Sequence, residues 1–541
     1  MKVLKDPVYG YIKLEKDILD KIVDTPEFQR LRHIEQTSYT PLYSSALHNR
    51  FVHSIGVYHL GRIASDALLE YINNDEDLKL LNDKQQIQEL CEDFNLACLL
   101  HDVGHSPFSH SGEKFYYSSN GSQKEPIFLS LKTVINSSQF SQDFELCIEN
   151  KTLPKQHEIM SAIIGADKFK NLIKDSEFFA RCITGILYKE DKEPLTQVKN
   201  VFIQLLNSSC IDVDKIDYLL RDAYVTGFET ISIDYIRLLS NVEIKQNKEK
   251  LEFVFNKRAL SVLENVIYAH DSERKWIQNH PIVLYESFLV QFAIQSVVNF
   301  YKKNGINLFS QDALSAIGIQ KEMKVRLLCD DDIIYTMKNQ IDSDLINEYF
   351  DRSIRRHPMW KSEAEFKVIF DNNKGRSWIK AFSVILEKLN NFLEKDCSEP
   401  LLNKNALDCC NRKLSDVKNR EGISDYDKKQ FTKKYENLLK IIEAFEKLAN
   451  AMKVPFDFVI IKANRFQTGF SKNSLQEMLI DFEGFEYPRA LKLVTQLLDS
   501  LPDEEKNFYY LYYKRDNSTS TKLSRFSTEI GNLFAPIINA M

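Results

Sequence analysis

Turn-forming residues are scarce in this chain. Its 541 residues include only 16 Gly and 14 Pro, about 3% each, where roughly 7% and 5% are usual. A sandwich or barrel of many strands needs a turn roughly every 8–12 residues, so this composition argues against both. Hydrophobic residues make up 43% of the chain and charged residues 27%, which is enough for a sizeable core. We therefore expect a mainly α fold.

The charge balance and the cysteines restrict the class of protein. The net charge is −6, from 71 basic and 77 acidic residues, so binding to nucleic acid is possible through a local patch but is not indicated. The nine Cys form no Cys-x-x-Cys pair, which is typical of reduced intracellular thiols. The opening MKVLKDPVYG has no signal-peptide pattern, and we find no apolar run of 18 residues. We expect a cytoplasmic protein that does not contact a membrane.

Helical periodicity runs through most of the sequence. The predicted helices cover residues 27–36, 54–72, 87–103, 176–188, 199–221, 257–273, 281–303 and 426–452, with a further helix starting at His157. Residues 111–156 are polar and weakly patterned, which is typical of an insertion. Residues 241–255 alternate around a polar turn and predict a β-hairpin.

The sequence pattern changes near residue 330. Two β-like runs, 456–462 and 508–514, together with a predicted helix at 487–500, indicate a small α/β element late in the chain. We therefore expect two regions, residues 1–330 and residues 331–541, of which the second is also largely helical.

The familiar phosphate-binding loops are missing. No Gly-x-Gly-x-x-Gly occurs in the chain, and Gly56 and Gly61, which have P-loop spacing, are not followed by Lys-Ser/Thr. These two glycines lie inside a predicted helix, so we interpret them as packing positions. The pair His101 and His105 superficially resembles a zinc-protease motif, but the residue after the first His is Asp and Gly104 ends the helix. We discount that interpretation.

Histidines are crowded at the start of the chain, where eight of the eleven precede residue 158. Three segments place polar residues inside apolar helices: HNRFVHS at 48–54, LLHDVGHSPFSH at 99–110 and IDVDKIDYLLRD at 211–222. Imidazole suits Zn, Fe or Mn, and carboxylates also accept Mg. A metal in such a site can activate water and neutralise phosphate charge. The three segments therefore predict a metal site that acts on phosphate.

Each residue of this set also has a plain structural explanation when taken alone. His53 on an apolar helix could be a core residue, and Asp214 could be a helix N-cap. Together the order His, His-Asp, Asp favours a metal site, with His101 and Asp102 at the end of one helix. Arg50 lies three positions before His53, where phosphate oxygens would bind a guanidinium.

The chain resembles the HD-domain metal-dependent phosphohydrolases in these three segments and in two earlier ones, DPVYGYI at 6–12 and DTPEFQRLRHIEQ at 24–36. More narrowly it resembles the deoxynucleoside triphosphate (dNTP) triphosphohydrolases, over roughly residues 1–360. The resemblance implies an HD domain at 1–330, with the insertion at about 111–156, and a C-terminal region at 331–541. Since the resemblance begins at the first residues, we expect no sterile alpha motif in this chain.

The resemblance also implies roles for individual residues. The implied metal ligands are His53, His101, Asp102 and Asp214, holding a divalent Mg, Mn, Fe or Zn. The implied catalytic groups are Asp214 together with His105, His110 and His157, of which His110 would protonate the leaving 5′-oxygen. The implied substrate-binding residues are Gln36, Arg50, Lys215, Tyr218, Asp222 and Arg274. The reaction would release a deoxynucleoside and inorganic triphosphate. Tyr218 as a plain core aromatic remains an alternative.

Regulation and selectivity stay open at this stage. Lys2, Val3, Asp24, Gln29 and Arg32 resemble residues of an activating-nucleotide site at a subunit interface, although part of this set also resembles a structural opening of the fold. We expect a homo-oligomer, which could be a dimer, tetramer or hexamer. Thr37 and His270 stand where family members carry other residues, so the preferred sugar and base are open.

Two other functions compete with this prediction. The first is another HD phosphohydrolase: a nucleotide phosphatase, a phosphodiesterase or a 3′ exonuclease. The second is a nucleotide-sensing module, for example in antiviral defence. Since all four implied metal ligands are present, the sequence favours an enzyme.

Overall fold

The fold was obtained as a computed structural model. It describes residues 2–74, 78, 84–116, 127–189, 192–208, 210–228, 232–247, 250–371, 376–419, 424–463, 472–500, 508–515 and 523–540. The structure is 66% helical, which confirms the predicted mainly α class.

Helices form most of the described chain. In chain order they are α1 (Lys16–Ile18), α2 (Pro26–Gln29), α3 (Arg50–Asn74), α4 (Lys84–Leu100), α5 (Ile127–Ile135), α6 (Ser138–Glu149), α7 (Gln156–Lys168), α8 (Ser176–Thr184), α9 (Pro194–Leu206), α10 (Val213–Thr226), α11 (Tyr235–Leu239), α12 (Leu260–Glu273), α13 (Pro281–Lys303), α14 (Gln311–Leu314), α15 (Ile317–Gln320), α16 (Asp330–Gln340), α17 (Asp344–Phe350), α18 (Glu363–Asp371), α19 (Arg376–Asn391), α20 (Lys404–Asn419), α21 (Asp425–Met452), α22 (Lys472–Glu477) and α23 (Leu523–Asn539). Short 3₁₀ or π segments cover Leu19–Val23, Arg30–His33, Ser109–Phe115, Lys257–Ala259, Arg274–Gln278, Arg352–Ile354, Phe392–Cys397, Leu491–Leu493 and Leu497–Ser500.

The strands of the described residues make three small sheets. They are β1 (Lys2–Asp6), β2 (Gly10–Leu14), β3 (Val242–Asn247), β4 (Lys250–Asn256), β5 (His357–Pro358), β6 (Val459–Ala463), β7 (Leu479–Asp481), β8 (Arg489–Ala490) and β9 (Phe508–Tyr513). The sheet orders are β1-β2, β3-β4-β7-β8 and β5-β9-β6. Of these pairings only β4 with β7 is parallel.

The chain divides into two compact units. The first comprises Met1–Arg274, Ala293–Ile341 and Gln467–Asp503. The second comprises Lys275–Phe292, Asp342–Phe466 and Glu504–Met541. Every residue that the sequence analysis assigned to a site lies in the first unit. The predicted division of the chain at residue 330 stays a prediction.

Two glycines of α3 let neighbouring helices approach it closely. A Cβ at Gly56 would lie 1.9 Å from Oδ1 of Asp217 on α10, and one at Gly61 would lie 2.5 Å from Sγ of Cys98 on α4. Both distances are too short for real Cβ contacts, so a larger residue would push these helices apart. The packing role predicted for these glycines is confirmed, and it brings α4 and α10 against the same helix.

Several predicted elements differ from the observed ones. The helix predicted at 199–221 is two helices, α9 and α10, because Asp212 caps a new start by accepting a hydrogen bond from Lys215 N at 2.8 Å. The helix predicted at 27–36 is only α2 and a 3₁₀ turn, since Glu35 pairs in extended conformation with Asn49. The insertion at 111–156 contains α5 and α6, and its residues 117–126 lie outside the described chain.

The hairpin predicted at 241–255 is confirmed as β3 and β4, in which Val242 faces Phe255. The helix predicted at 487–500 is wrong, because that stretch forms β8 and two 3₁₀ turns. Pro488 biases the residue before it toward extended backbone, and β8 then pairs with β7 across Leu479 and Ala490.

The second unit is built on an aromatic core. Its central strand β9 has the sequence FYYLYY, and all six side chains are buried. It pairs with β6 through Ile460 and Leu511, so the two predicted late strands are confirmed as one sheet. Helices α19, α21 and α23 contribute Phe382, Phe445 and Phe534, whose rings contact one another at 5.0–6.2 Å.

Within the described residues, one helix is long and apolar enough to cross a membrane by length and composition alone. This helix is α13, and 56% of its most apolar stretch is buried inside the structure. The sequence has no uninterrupted apolar run of 18 residues, and buried core helices pass the same test of length and composition.

Candidate active site

Three helices of the first unit bring the implied metal ligands together. His53 lies in the first turn of α3, and His101 with Asp102 directly follows the last residue of α4. Asp214 lies in the first turn of α10, next to the capping residue Asp212. Helix ends are where the chain can place polar side chains at the edge of an apolar core.

The donor atoms of these residues converge. Nε2 of His53 lies 3.0 Å from Oδ1 of Asp214 and 3.3 Å from Nε2 of His101. Nε2 of His101 lies 3.6 Å from the same Asp214 oxygen. Asp102 brings Oδ2 to 3.6 Å from His53 and Oδ1 to 3.5 Å from His101. The four residues predicted as ligands therefore form one cluster, and its imidazole and carboxylate donors suit a divalent metal.

The electrostatics of the cluster favour a cation. Burial works against the charged ring of His53, yet hydrogen bonds to Asp214 and Asp217 raise its pKa to about 9. Burial also works against the Asp102 carboxylate, but Arg50, His101 and His53 hold its pKa well below the usual range. Ionised carboxylates beside imidazoles attract positive charge. A divalent ion can therefore take the place of the proton on His53.

Asp217 is a buried carboxylate that holds the His53 ring from outside the metal cluster, and it was not predicted from the sequence. Oδ2 of Asp217 lies 2.7 Å from Nδ1 of His53. Asp217 also accepts hydrogen bonds from Tyr9 Oη at 2.7 Å and from Arg221 at 2.9 and 3.0 Å. Burial raises the pKa of Asp217, but Arg221 and His53 outweigh it and lower the value to about 2. The arrangement fixes the His53 ring so that Nε2 faces the cluster.

Replacing Asp217 with Asn tests this support. The amide keeps the shape of the carboxylate but loses the charge that holds His53 in place. We expect Asp217→Asn to weaken Mn²⁺ binding by roughly 10–100-fold, measured by isothermal titration calorimetry. Asp234→Asn, at an exposed helix cap, is the matched control and should bind Mn²⁺ as the wild type does. An Asp217→Asn protein with unchanged affinity would contradict the assigned role.

A second cluster consists of three histidines and one glutamate. Its members His105, His110, Glu113 and His157 bring one potential ligand atom each to within 4.8 Å of one another. Oε1 of Glu113 contacts Nδ1 of His110 and lies 2.9 Å from Nδ1 of His157. An ionised carboxylate only accepts hydrogen bonds, so both Nδ1 atoms carry protons. The nitrogen of each ring that does not contact Glu113 is then Nε2.

Glu113 is the other functional residue that the sequence analysis missed. Burial raises its pKa, but hydrogen bonds from His110 and His157 hold the value well below the usual range. Its position three residues after His110, in the 3₁₀ segment Ser109–Phe115, was a signal that could have identified it. The spacing of Asp217 was a similar signal, because this residue follows Asp214 by three positions and precedes Arg221 by four.

His105 connects the two clusters. Its ring stacks on His157 with centroids 4.3 Å apart, and its Nε2 lies 4.0 Å from Oδ1 of Asp102. Within the part of the chain that the structure describes, neither ring nitrogen has a hydrogen-bond partner, although the ring is fully buried. Burial and the charge of Arg50 push its pKa well below the usual value. Burying an imidazole without a hydrogen-bond partner costs free energy. A hydrogen bond between a ligand and a ring nitrogen of His105 would remove that cost.

Arg50 also spans both clusters. Its Nη1 donates to Oδ2 of Asp102 at 2.7 Å, and its Nε donates to Oγ of Ser109 at 3.0 Å. The side chain is largely buried. Arg50 therefore places a permanent positive charge beside Asp102 of the metal cluster and beside Ser109, the residue before His110; its phosphate-binding role stays a prediction.

Gln36 and Asp222 are brought together through His48. The backbone N–H of Gln36 donates to the carbonyl of His48 at 3.1 Å, and Nε2 of His48 lies 2.7 Å from Oδ1 of Asp222. Gln36 is buried, and within the described structure its Oε1 has no hydrogen-bond partner. These groups form a polar wall that could bind the hydroxyls of a ligand.

Tyr218 faces His270 rather than a phosphate-binding arginine. Their ring centroids lie 6.3 Å apart, edge to face. Burial, followed by the nearby charges of Arg274 and Lys215, lowers the pKa of His270 to about 3. His270 is therefore neutral at physiological pH, and Arg274 and Lys215 are positive charges near it.

Lys215 turns away from the metal cluster. Its Nζ contacts Asp212 and donates to the carbonyl of Ser208 at 2.8 Å. A cavity of about 930 Å³ opens beside Lys215 and Asp214. This volume is within the range of small-molecule sites. Asp214, whose side chain is 35% exposed, is the ligand through which the metal cluster meets this cavity.

The comparisons with known proteins agree with the earlier resemblance. No family model matches the chain. YwfO of Bacillus subtilis, an uncharacterized protein, is 29% identical over 283 residues, which is 52% of each chain. The deoxynucleoside triphosphate triphosphohydrolase SAMHD1 of Danio rerio is 30% identical over 288 residues, or 52% of this chain and 43% of its own length. The chain is thus similar to several proteins named deoxynucleoside triphosphate triphosphohydrolase SAMHD1, at 27–30% identity over about half of its length. It spans about half the length of the curated relatives it matches.

A solved structure extends the likeness in fold. A hypothetical protein from Aquifex aeolicus matches 98% of this chain and 99% of its own, with a TM-score of 0.55 and 18% identity. At that identity the match concerns the fold alone.

Of the residues predicted to bind an activating nucleotide, Gln29 is half-buried and the other four are exposed. Asp24, Gln29 and Arg32 are neighbours. Arg32 donates a hydrogen bond to Oε1 of Gln29 at 2.9 Å, and the negative charge of Asp24 works against the burial that lowers the pKa of Arg32. Lys2 and Val3 lie exposed on β1. An activating site remains a prediction, as does a homo-oligomer.

Proposed function

We propose that this protein is a metal-dependent dNTP triphosphohydrolase. The observation that carries the proposal is that the metal cluster and the histidine cluster lie side by side. Nη1 of Arg50 lies 2.7 Å from Oδ2 of Asp102, and Nε2 of His105 lies 4.0 Å from Oδ1 of the same residue. The similarity to a deoxynucleoside triphosphate triphosphohydrolase over half the chain supports the same reaction.

The α-phosphate would bind between the clusters. A divalent metal held by His53, His101, Asp102 and Asp214 would supply Lewis-acid activation of water and neutralise phosphate charge. Its histidine ligands favour Mn, Fe or Zn, while the carboxylates also accept Mg. Arg50 would neutralise a phosphate oxygen, and His105 would use a ring nitrogen that has no partner in the described structure.

His110 would complete the reaction as an acid. Water attacks the α-phosphorus, a P–O bond forms, and the bond from phosphorus to the 5′-oxygen breaks. The leaving oxygen would take its proton from Nε2 of His110. Desolvation lowers the pKa of His110, and the ionised Glu113 at Nδ1 works against that loss. The products are a deoxynucleoside and inorganic triphosphate, with one water consumed.

The sugar would bind against the polar wall of Gln36 and Asp222, with Tyr218 and Arg274 on the other side. The cavity beside Asp214 contains more carboxylates than lysines: Glu158, Asp212, Asp214, Glu252 and Glu477 against Lys155, Lys215 and Lys250. A free triphosphate would be repelled there. A metal-complexed nucleotide carries less negative charge, so we expect strict metal dependence.

Product analysis tests the proposal. Each of the eight common nucleoside and deoxynucleoside triphosphates is incubated with Mg²⁺ or Mn²⁺, alone and in mixtures, and the products are separated by ion-exchange chromatography. We expect deoxynucleoside and triphosphate from at least one dNTP, and faster cleavage in some mixtures if an activating site exists. Monophosphate with pyrophosphate, or orthophosphate, would overturn the reaction and leave another HD phosphohydrolase. A His101→Ala preparation controls for contaminating enzymes.

A further inference from the structure

Two consecutive residues between His105 and His110 have a left-handed backbone. Phe108 has φ of 52° and Ser109 has φ of 55°. Neither is glycine, so each conformation costs free energy and persists only where surrounding contacts hold it. The turn that carries His110 therefore depends on groups outside itself.

Asp330 is one of these groups. It is the first residue of α16 and is 5% exposed. Its Oδ1 accepts a hydrogen bond from Phe108 N at 2.6 Å, and its Oδ2 accepts one from Glu35 N at 2.8 Å. One carboxylate thus ties the left-handed turn to the segment that leads into Gln36.

Arg30 holds the beginning of the same loop. Its Nη2 donates to the carbonyls of Val103 and His105 at 2.9 and 2.8 Å, and its Nη1 donates to the carbonyl of Leu328 at 2.6 Å. Leu328 lies two residues before Asp330. The loop is therefore attached to the 328–330 segment at both ends.

We infer that Asp330 is a positioning residue of this site, which orients His110 toward the breaking bond by fixing the left-handed turn at Phe108 and Ser109. The inference rests on the proposed function, because it concerns the proton that His110 gives to the leaving group. Asp330 acts through the backbone of Phe108. His53, His101, Asp102 and His105 precede the turn and Asp214 lies on α10, so none of them belongs to the segment that relaxes.

Asp330→Asn tests the inference. An amide has one acceptor oxygen, so one of the two backbone N–H bonds is lost in either orientation. Displacing His110 should lower kcat for the dNTP by roughly 10–100-fold, and KM should change less than kcat because the predicted metal ligands and His105 lie outside the turn. Mn²⁺ affinity should not change. Asp331→Asn, at an exposed carboxylate bonded to His33, should match the wild type.

A second substrate separates positioning from general damage. Bis(p-nitrophenyl) phosphate releases nitrophenolate, which leaves without a proton. Asp330→Asn should therefore cleave it within about threefold of the wild-type rate, while the dNTP rate falls. Equal losses on both substrates, or no loss on either, would overturn the inference. Asp330→Glu keeps both acceptor oxygens and should recover part of kcat; it provides the same comparison if the Asn variant does not fold.

The two proposals fail in different ways. If the wild type releases no triphosphate from any dNTP, the proposed function fails. The leaving-group comparison is then made with whichever nucleotide the wild type cleaves.

Discussion

His101→Ala is expected to reduce dNTP hydrolysis by at least about 10³-fold. Its Nε2 lies within 3.6 Å of donor atoms of His53, Asp102 and Asp214, so its loss opens the centre of the cluster. Metal ions contribute several kcal/mol of transition-state stabilisation, and each 1.4 kcal/mol is roughly a factor of 10 in rate. The measurement pairs kcat/KM with metal content by plasma mass spectrometry.

His33→Ala is the matched control for this experiment. His33 is exposed and lies 2.9 Å from Asp331 at the surface, so the variant should keep wild-type activity and metal content. If His101→Ala retained bound metal and more than a tenth of the activity, the ligand assignment would be wrong.

His110→Ala is expected to lower kcat by roughly 10²–10⁴-fold, the usual contribution of a positioned acid. The side chain is 60% exposed, so its removal should leave the fold and the metal content unchanged. Glu113→Gln should give a smaller loss of about 10-fold, because His110 stays in place but its protonated form loses a charged partner. Steady-state kinetics on the preferred dNTP measure both effects.

The neighbouring exposed Lys114 offers a matched control, since Lys114→Gln changes the same segment without touching the cluster. It should behave as the wild type does. A His110→Ala protein with wild-type kcat would exclude His110 as the acid and would shift that role to another group of the cluster.

The sequence identified four residues that the structure brings together, because the information that marks them is local; their role as metal ligands stays a prediction. His101 and Asp102 are adjacent, and each remaining ligand, His53 and Asp214, lies in a short motif at a helix start. The motifs themselves marked these positions, because the periodicity predicted a single helix at 199–221 and missed the helix start beside Asp214. Once α3, α4 and α10 pack closely, as Gly56 and Gly61 permit, these ligands meet.

The supporting residues were harder to predict because their roles depend on contacts distant in sequence. Asp217 joins Tyr9 across 208 positions, and Asp330 joins Phe108 across 222. A buried carboxylate in a helix pattern does not say which partner it will meet. Lys215 shows the same difficulty, because its position beside Asp214 does not indicate that its Nζ contacts Asp212 and the carbonyl of Ser208; its role in phosphate binding stays a prediction.

The composition predicted the fold class correctly, but the helix predicted at 487–500 does not form. The stretch 487–500 has helical periodicity, yet β8 pairs with β7, and β7 pairs in parallel with β4 some 225 positions earlier. Tertiary pairing of this kind overrides local propensity, and no pattern within the stretch itself indicates it.

The most direct test of the central claim is hydrolysis of the preferred dNTP in ¹⁸O-labelled water, followed by ³¹P NMR. Attack of water at the α-phosphorus with release of the 5′-oxygen predicts inorganic triphosphate with one labelled terminal phosphate and an unlabelled deoxynucleoside. Label in a deoxynucleoside monophosphate, in pyrophosphate or in orthophosphate would contradict the account.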